Sequence, residues 1–385
     1  MLLRQRHLST IEELFETFPV VGLLGARQVG KTTLARHYAE QFDGPITHFD
    51  LEDPTAVARL EAPKLALADL RGLVVLDEVQ HRPDLFPVLR VLADRPDGPA
   101  RFLVLGSASP ELLRQSSESL AGRIAYHELS GFDLDEVGAE EIDRLWMRGG
   151  FPRSFTAATD AQSFRWRREL VRTYLERDLP MLGFRIGPET IRRFWTMVAH
   201  YHGQTWNGAE LSRSLGVSES SVRHYLDILC DTFMARRLRP WHTNLGKREV
   251  KAPKVYLADS GILHRLLGLD TREALMSHPK VGGSFEGFAI EQVISRLGAE
   301  RDECFFWGLH SGAELDLLVV RGQRRLGFEV KLTDSPRTTR SMHSALDSLG
   351  LERIDVLHAG SDTFQLSEHV RAVALSRVVQ DVDRL

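Results

Sequence analysis

Hydrophobic positions follow three rhythms, one in each third of the chain. In the first third, short apolar runs at 20–24, 46–50, 73–76 and 102–106 alternate with stretches of helical spacing. Apolar runs this short suit strands buried on both faces of a parallel sheet, and the helical stretches supply the crossovers. One of these, Arg82-Pro83 to Leu92, places Leu85, Val88, Leu89 and Leu92 on one face, which reads as core. The middle third is helical and arginine-rich from about Asp160 to His202, broken by Pro180 and Gly187-Pro188. Two further helices follow over 207–240, the first Ala209–Leu215, the turn Gly216-Val217, the second capped by Ser218. Val222, Tyr225, Leu226 and Leu229 form the apolar face of that second helix, leaving Ser220, Ser221, Arg223 and His224 exposed as in a helix-turn-helix. Phe233–Trp241 and 247–254 then read as a winged hairpin with a basic tip at Lys247, Arg248, Lys251 and Lys254.

The last third changes to period two. Leu315, Leu317 and Val319 alternate with Glu314, Asp316 and Leu318; beyond Gly322-Gln323, Phe328, Val330 and Leu332 alternate with Glu329 and Lys331. This predicts a hairpin whose two-residue turn sets Asp316 opposite Glu329 and Glu314 opposite Lys331, unless a bulge intervenes. The expected fold class is α/β: a parallel sheet with helices on both faces, then a helical and winged-helix region, then a second α/β domain. Gly149-Gly150-Phe151-Pro152 marks the first expected boundary, giving domains 1–148, 149–250 and 251–385.

The strongest chemical signal follows the first apolar run. Gly25-Ala26-Arg27-Gln28-Val29-Gly30-Lys31-Thr32-Thr33 lies between a strand and a helix and matches a phosphate-binding P-loop. Its glycines let the backbone wrap a phosphate, and the helix N-terminus offers unpaired N–H groups. Lys31 would reach the β- and γ-phosphates, and the Thr32 hydroxyl would ligate Mg²⁺. Leu73–Leu76 ends in Asp77-Glu78, with Asp77 placed to hold the ion and Glu78 to orient or deprotonate the attacking water. Ser107, after the run at 102–106, is a candidate contact to the γ-phosphate or water. Arg123 has two readings: a cation for transition-state charge, in its own site or a neighbour's within a homo-oligomer, or an ordinary arginine in a turn.

In the hairpin, facing carboxylates repel unless a cation lies between them. A second divalent metal held by Glu286, Asp316 and Glu329, with Lys331 beside it, is one reading; a polar face with a single Glu314–Lys331 pair is the other. Glu286 falls on the buried stripe of its helix with Ile290 and Val293, which favours the first.

Composition narrows the class. The 385 residues are 43% hydrophobic and 26% charged, with no apolar run of the roughly 18–20 residues that span a membrane, so a cytoplasmic protein is expected. Ser9-Thr10-Ile11-Glu12 reads as a helix-capping box and not as a signal-peptide core. Cys230 and Cys304 have no metal-type spacing. Net charge is −4, but residues 144–250 carry 18 Lys and Arg against 10 Asp and Glu, while 1–143 carry 14 against 24. That basic island suits nucleic acid or a solvated helical surface.

Together these residues resemble bacterial and archaeal AAA-type P-loop ATPases with a C-terminal domain of restriction-endonuclease-like, PD-(D/E)XK, fold. The likeness rests on 25–32, Leu76–Gln80, Gly106-Ser107-Ala108, Leu120–Arg123, Gly149–Pro152, 251–256, Phe285–Phe288 and Phe328–Lys331. It implies ATP and Mg²⁺ at Lys31, Thr32, Asp77 and Glu78, and maps a nuclease-like signature onto Glu286, Asp316, Glu329 and Lys331. Typical AAA sensors carry Asn or Thr where Ser107 stands. The expected function is ATP hydrolysis coupled to DNA handling. The alternatives are a nucleotide-switched regulator whose C-terminal domain only binds partners, and an ATP-gated nuclease.

Overall fold

The computed structural model describes residues 2–96, 100–106, 118–242 and 250–385. They form two compact units, the first Met1–Gly131 with Asp231–Phe233, the second Phe132–Cys230 with Met234–Leu385. In the first unit β1 (Val20–Leu24), β2 (Ile46–Asp50), β3 (Leu73–Asp77), β4 (Arg101–Gly106) and β5 (Ile124–Glu128) make a parallel sheet in the order β2-β3-β4-β1-β5. Sequence rhythm finds the first four. It misses β5, an edge strand whose Ile-Ala-Tyr-His-Glu is only half-buried and has no apolar run. Phe49, Val74, Leu76, Phe102 and Val104 pack with Leu85, Phe86, Leu89 and Leu92 of the helix Leu85–Ala93. The helix Gln5–Thr17 begins ahead of the expected capping box, and Thr10 lies inside it with its hydroxyl donating to the Arg6 carbonyl.

Because β4 pairs with both β1 and β3, these three strands end at one edge of the sheet. The loop after β1 and the acidic pair ending β3 therefore meet there although one strand separates them, the place where open parallel sheets bind ligands.

In the second unit β6 (Gln204–Thr205), β7 (Ala235–Pro240), β8 (Lys254–Leu257), β9 (Cys304–Gly308), β10 (Glu314–Arg321), β11 (Arg324–Lys331), β12 (Ile354–His358), β13 (Phe364–Ser367) and β14 (Val370–Ala374) form one mixed sheet. Its order is β13-β14-β12-β11-β10-β9-β7-β8-β6. β7 pairs with β9 through Arg239↔Phe305 and Pro240↔Phe306, so the expected middle region shares a sheet with the expected C-terminal domain. Two units thus stand where three domains were expected.

Gly149-Gly150 is likewise a joint inside the second unit and not a boundary. Gly149 takes φ +75°, and a Cβ there would run into the Asp259 carboxylate; one at Gly261 would run into the Arg148 carbonyl. Asp259 accepts from the N–H of Gly150 at 2.7 Å and of Ile262 at 2.8 Å, capping the helix Ser260–Leu267. The glycines are there for close packing, which in sequence looks the same as a linker.

The two expected helices are present as Gly208–Leu215 and Glu219–Asp231, with Ser218 accepting the Ser221 N–H at 3.1 Å. β7 and β8 pair antiparallel, but β8 is Lys254–Leu257 and begins only at the last residue of the 247–254 stretch expected to form the second strand of the hairpin. Lys247 and Arg248 of the basic tip, and Ser107, lie outside the described residues.

The hairpin register runs from Arg321↔Arg324 to Leu317↔Phe328, as the turn requires. Period-two alternation fails at one point. A bulge against β9 between Leu315 and Leu318 turns Leu315 and Leu317 to opposite faces. Leu317, Val319, Phe328 and Val330 pack under the helix Val281–Leu297, whereas Leu315 and Leu318 pack with Met342, Ala345 and Leu349 of the helix Arg340–Leu349. Asp316 sits at the bulge.

Candidate functional site

The loop after β1 is shaped by residues that allow no ordinary backbone. A Cβ on Gly25 would strike the Leu129 carbonyl, so only glycine lets the chain leave β1 there. Gly30 takes φ +104° as it caps the helix Lys31–Gln41, and Gln28, though not glycine, takes φ +65°. Such a residue stores about 1–3 kcal/mol of strain, a cost found where backbone is aimed at a ligand. Thr33 follows Thr32 in the first helical turn. Lys31 is buried, and its ammonium donates at 3.0 Å to both the Gly25 and Ala26 carbonyls, which holds the cation over the loop. Arg27 leaves the loop to pair with Glu52 at 2.8 Å. Arg4, which carries no motif, is buried beneath it; its guanidinium donates to the Ser130 carbonyl at 3.0 Å, to Gly131 at 3.1 Å and to Val29 at 3.5 Å.

Across the edge, the Thr32 hydroxyl donates to Asp77 Oδ2 at 2.8 Å. Two oxygens held in adjacent positions by an octahedral Mg²⁺ with bonds of 2.0–2.1 Å lie about 2.9 Å apart, so this pair already has the spacing the ion requires. Burial pushes the Asp77 carboxyl up, offset by the Thr32 hydrogen bond. Glu78 follows in a left-handed conformation, φ 55° and ψ 46°, that turns it off the strand axis, and the Gln80 side-chain amide donates to its carboxylate. The Gln80 Oε1 atom is buried and has no hydrogen-bond partner among the described residues.

Arg123 is not part of this arrangement. It precedes β5 at the opposite end of the sheet, where its carbonyl accepts from Val20 N–H, and its guanidinium holds Asp94 through two hydrogen bonds of 2.6 and 2.8 Å. The length of β1 separates it from its own phosphate loop.

The second unit brings together the other expected residues: Glu286 from the helix Val281–Leu297, Glu314 and Asp316 from β10, and Glu329 and Lys331 from β11. It also brings one assigned elsewhere. Lys254, read as part of a basic tip, is buried, with its ammonium 3.2 Å from Asp316, 3.4 Å from Glu314 and 3.6 Å from Glu286. Asp316 Oδ2 accepts the Val330 N–H at 3.0 Å, the Tyr256 hydroxyl donates to Glu286 at 2.6 Å, and Lys331 pairs with Glu329 at 2.7 Å. The expected second metal does not fit. An ammonium stands where the carboxylates converge, and no group of three or more His, Cys, Asp or Glu suited to a metal occurs among the described residues.

Burial first, and then the charge of Asp316, push Glu286 up to about 7 and Glu329 up to about 8. Both carboxyls therefore keep protons in the folded chain that the unfolded chain releases near 4.5. Between those values the folded state binds more protons, so stability falls as pH rises. The calorimetric midpoint of the second unit is expected to drop from pH 5 to pH 8, with the slope reduced by Glu286→Gln and Glu329→Gln together. A midpoint that rises over this range would contradict the assignment.

Comparison with known proteins places these features. A family model described as an AAA domain matches residues 17–138. Two models of domains of unknown function match 139–273 (DUF8612) and 281–378 (DUF4143). The uncharacterized proteins Rv2008c of Mycobacterium tuberculosis and Mb2031c of Mycobacterium bovis are each 50% identical over 361 residues, 94% of this chain and 81% of their own length. A solved structure of a Walker-type ATPase of Pyrococcus abyssi, 17% identical, superposes with a TM-score of 0.50 over 69% of this chain and 96% of its own, a likeness of fold. Among the described residues no helix is long and apolar enough to cross a membrane.

Proposed function

This chain belongs to the family of those two mycobacterial proteins and carries an AAA domain of P-loop NTPase fold at 17–138, and on that premise we propose that it is a Mg²⁺-dependent ATPase. The observation that carries the reading is the Thr32–Asp77 pair at 2.8 Å, set beside a buried loop lysine and followed at once by Glu78. The backbone N–H groups of 25–33 hold the phosphates, and Lys31 swings from its two carbonyls to the β- and γ-phosphates. Thr32 and Asp77 would hold magnesium, which when bound would supply positive charge against the phosphates. Glu78, steadied by Gln80, orients the lytic water and takes its proton, a role worth about 10²–10⁴-fold. Glu78→Gln is accordingly expected to lower kcat about 100-fold or more while leaving ATP affinity near that of the parent. Phosphate-release kinetics beside nucleotide titration check this, and equal loss of both would contradict the role.

The partner we propose is DNA, met by the helix Glu219–Asp231. Support comes from the exposed Ser220, Arg223 and His224 near its start and from the excess of basic residues over 144–250. An ATPase rate that rises with added DNA supports coupling; a rate indifferent to DNA, with no DNA retained on a column, removes it. A second reading is favoured by Lys254: a nucleotide-switched regulator whose C-terminal sheet binds partners without cutting nucleic acid.

A further inference from the structure

We infer that Lys254 is the resident cation of the carboxylate centre in the second unit, a built-in ammonium that takes the place of a divalent ion and makes the centre a fixed joint. The inference is independent of ATP hydrolysis. Its basis is convergence: three carboxyl groups from two elements meet one buried ammonium delivered by a third. Lys254 opens β8, Glu286 comes from the helix Val281–Leu297, and Glu314 and Asp316 come from β10. The lysine is enclosed, 4% exposed, with Nζ 5.7 Å from the centre of the Phe306 ring. Nitrogen–oxygen separations of 3.2–3.6 Å are those of ion pairs, whereas Mg²⁺ holds oxygens at 2.0–2.1 Å and Ca²⁺ at 2.3–2.6 Å.

The neighbouring carboxyl oxygens are already taken up. Glu329 is held by Lys331, and Asp316 spends its second oxygen on the Val330 N–H. A divalent ion entering between Asp316 and Glu286 would face an ammonium in direct contact, and like charges at that range in a buried setting repel strongly. The joint has a mechanical consequence. β8 pairs with β7, the strand that follows the helix Glu219–Asp231, so Lys254 ties that strand pair to β10 and the helix Val281–Leu297 through charge, beside the pairing of β7 with β9.

Mn²⁺ binding by the full-length chain, followed by electron paramagnetic resonance without nucleotide, tests this. Asp77→Asn is present in every arm so that the first unit's ion is not counted. With Lys254 intact, Mn²⁺ uptake is expected to be the same whether or not Asp316→Asn is added. Lys254→Met, nearly equal in volume and uncharged, is expected to gain one bound Mn²⁺ per chain and to lose it again with Asp316→Asn. A Lys254-intact protein that binds one Mn²⁺ and loses it with Asp316→Asn would overturn the inference, as would a folded Lys254→Met that gains none. Should Lys254→Met fail to fold, the Lys254-intact pair decides: equal uptake supports the lock and loss overturns it. Plasmid cleavage in Mg²⁺ or Mn²⁺ that requires Asp316 would also overturn it.

Discussion

Lys31→Ala is expected to lower ATP turnover at least ~100-fold, the usual consequence of removing one preorganised charge from a developing oxyanion. The structure gives a reason to expect the large end of such effects. Lys31 is buried and held by two carbonyls of its own loop, so its charge faces little water and acts at full strength on a phosphate that displaces those carbonyls. The same contacts supply a control. Alanine leaves the Gly25 and Ala26 carbonyls without that donor, at about 1 kcal/mol each, a change in melting that must be measured beside the rate. Lys31→Arg is also expected to be slow, since a planar fork cannot replace a compact ammonium inside the loop. A Lys31→Ala protein that releases phosphate as fast as its parent would contradict the assignment.

The largest effect on stability is expected at Lys254. Removing one partner of a buried ion pair costs about 3–5 kcal/mol, because the charge left behind is uncompensated. Glu314 is 52% exposed and contributes little; Asp316, at 5%, carries most of the loss. For a domain of this size that corresponds to a fall on the order of 10 °C in the calorimetric midpoint of Lys254→Met. Adding Asp316→Asn to the same chain is expected to recover part of it, since the orphaned charge goes too. A double variant no more stable than the single one would show that the lysine acts through packing alone.

The contrast between what the sequence revealed and what it hid is physical. The phosphate loop is legible because its constraints are local: a glycine where a Cβ would strike Leu129, a glycine at φ +104°, and a lysine and threonine at fixed offsets from them. The hairpin register is legible because a two-residue turn leaves no freedom, and the structure keeps it through Leu317↔Phe328. The bulge at Asp316 was not, since it depends on β9, and it turns Leu317 away from Leu315. In sequence Lys254 reads as part of a basic hairpin tip because its neighbours are basic; the acids that surround it lie 32 to 62 residues away, a distance only the fold closes. Arg4 carries no local signal for the same reason, its acceptors at Ser130 and Gly131 belonging to the other end of the first unit. Gly149 misled in the opposite sense, its freedom serving the approach of Asp259 and not a linker.

Isothermal titration of the folded, full-length protein with a non-hydrolysable ATP analogue, with and without millimolar Mg²⁺, bears most directly on the central claim. One-site binding is expected, strengthened by Mg²⁺ in the parent and not in Asp77→Asn, because Thr32 and Asp77 would share the ion. No heat of binding at any Mg²⁺ concentration, or strengthening that is the same in Asp77→Asn, would contradict it.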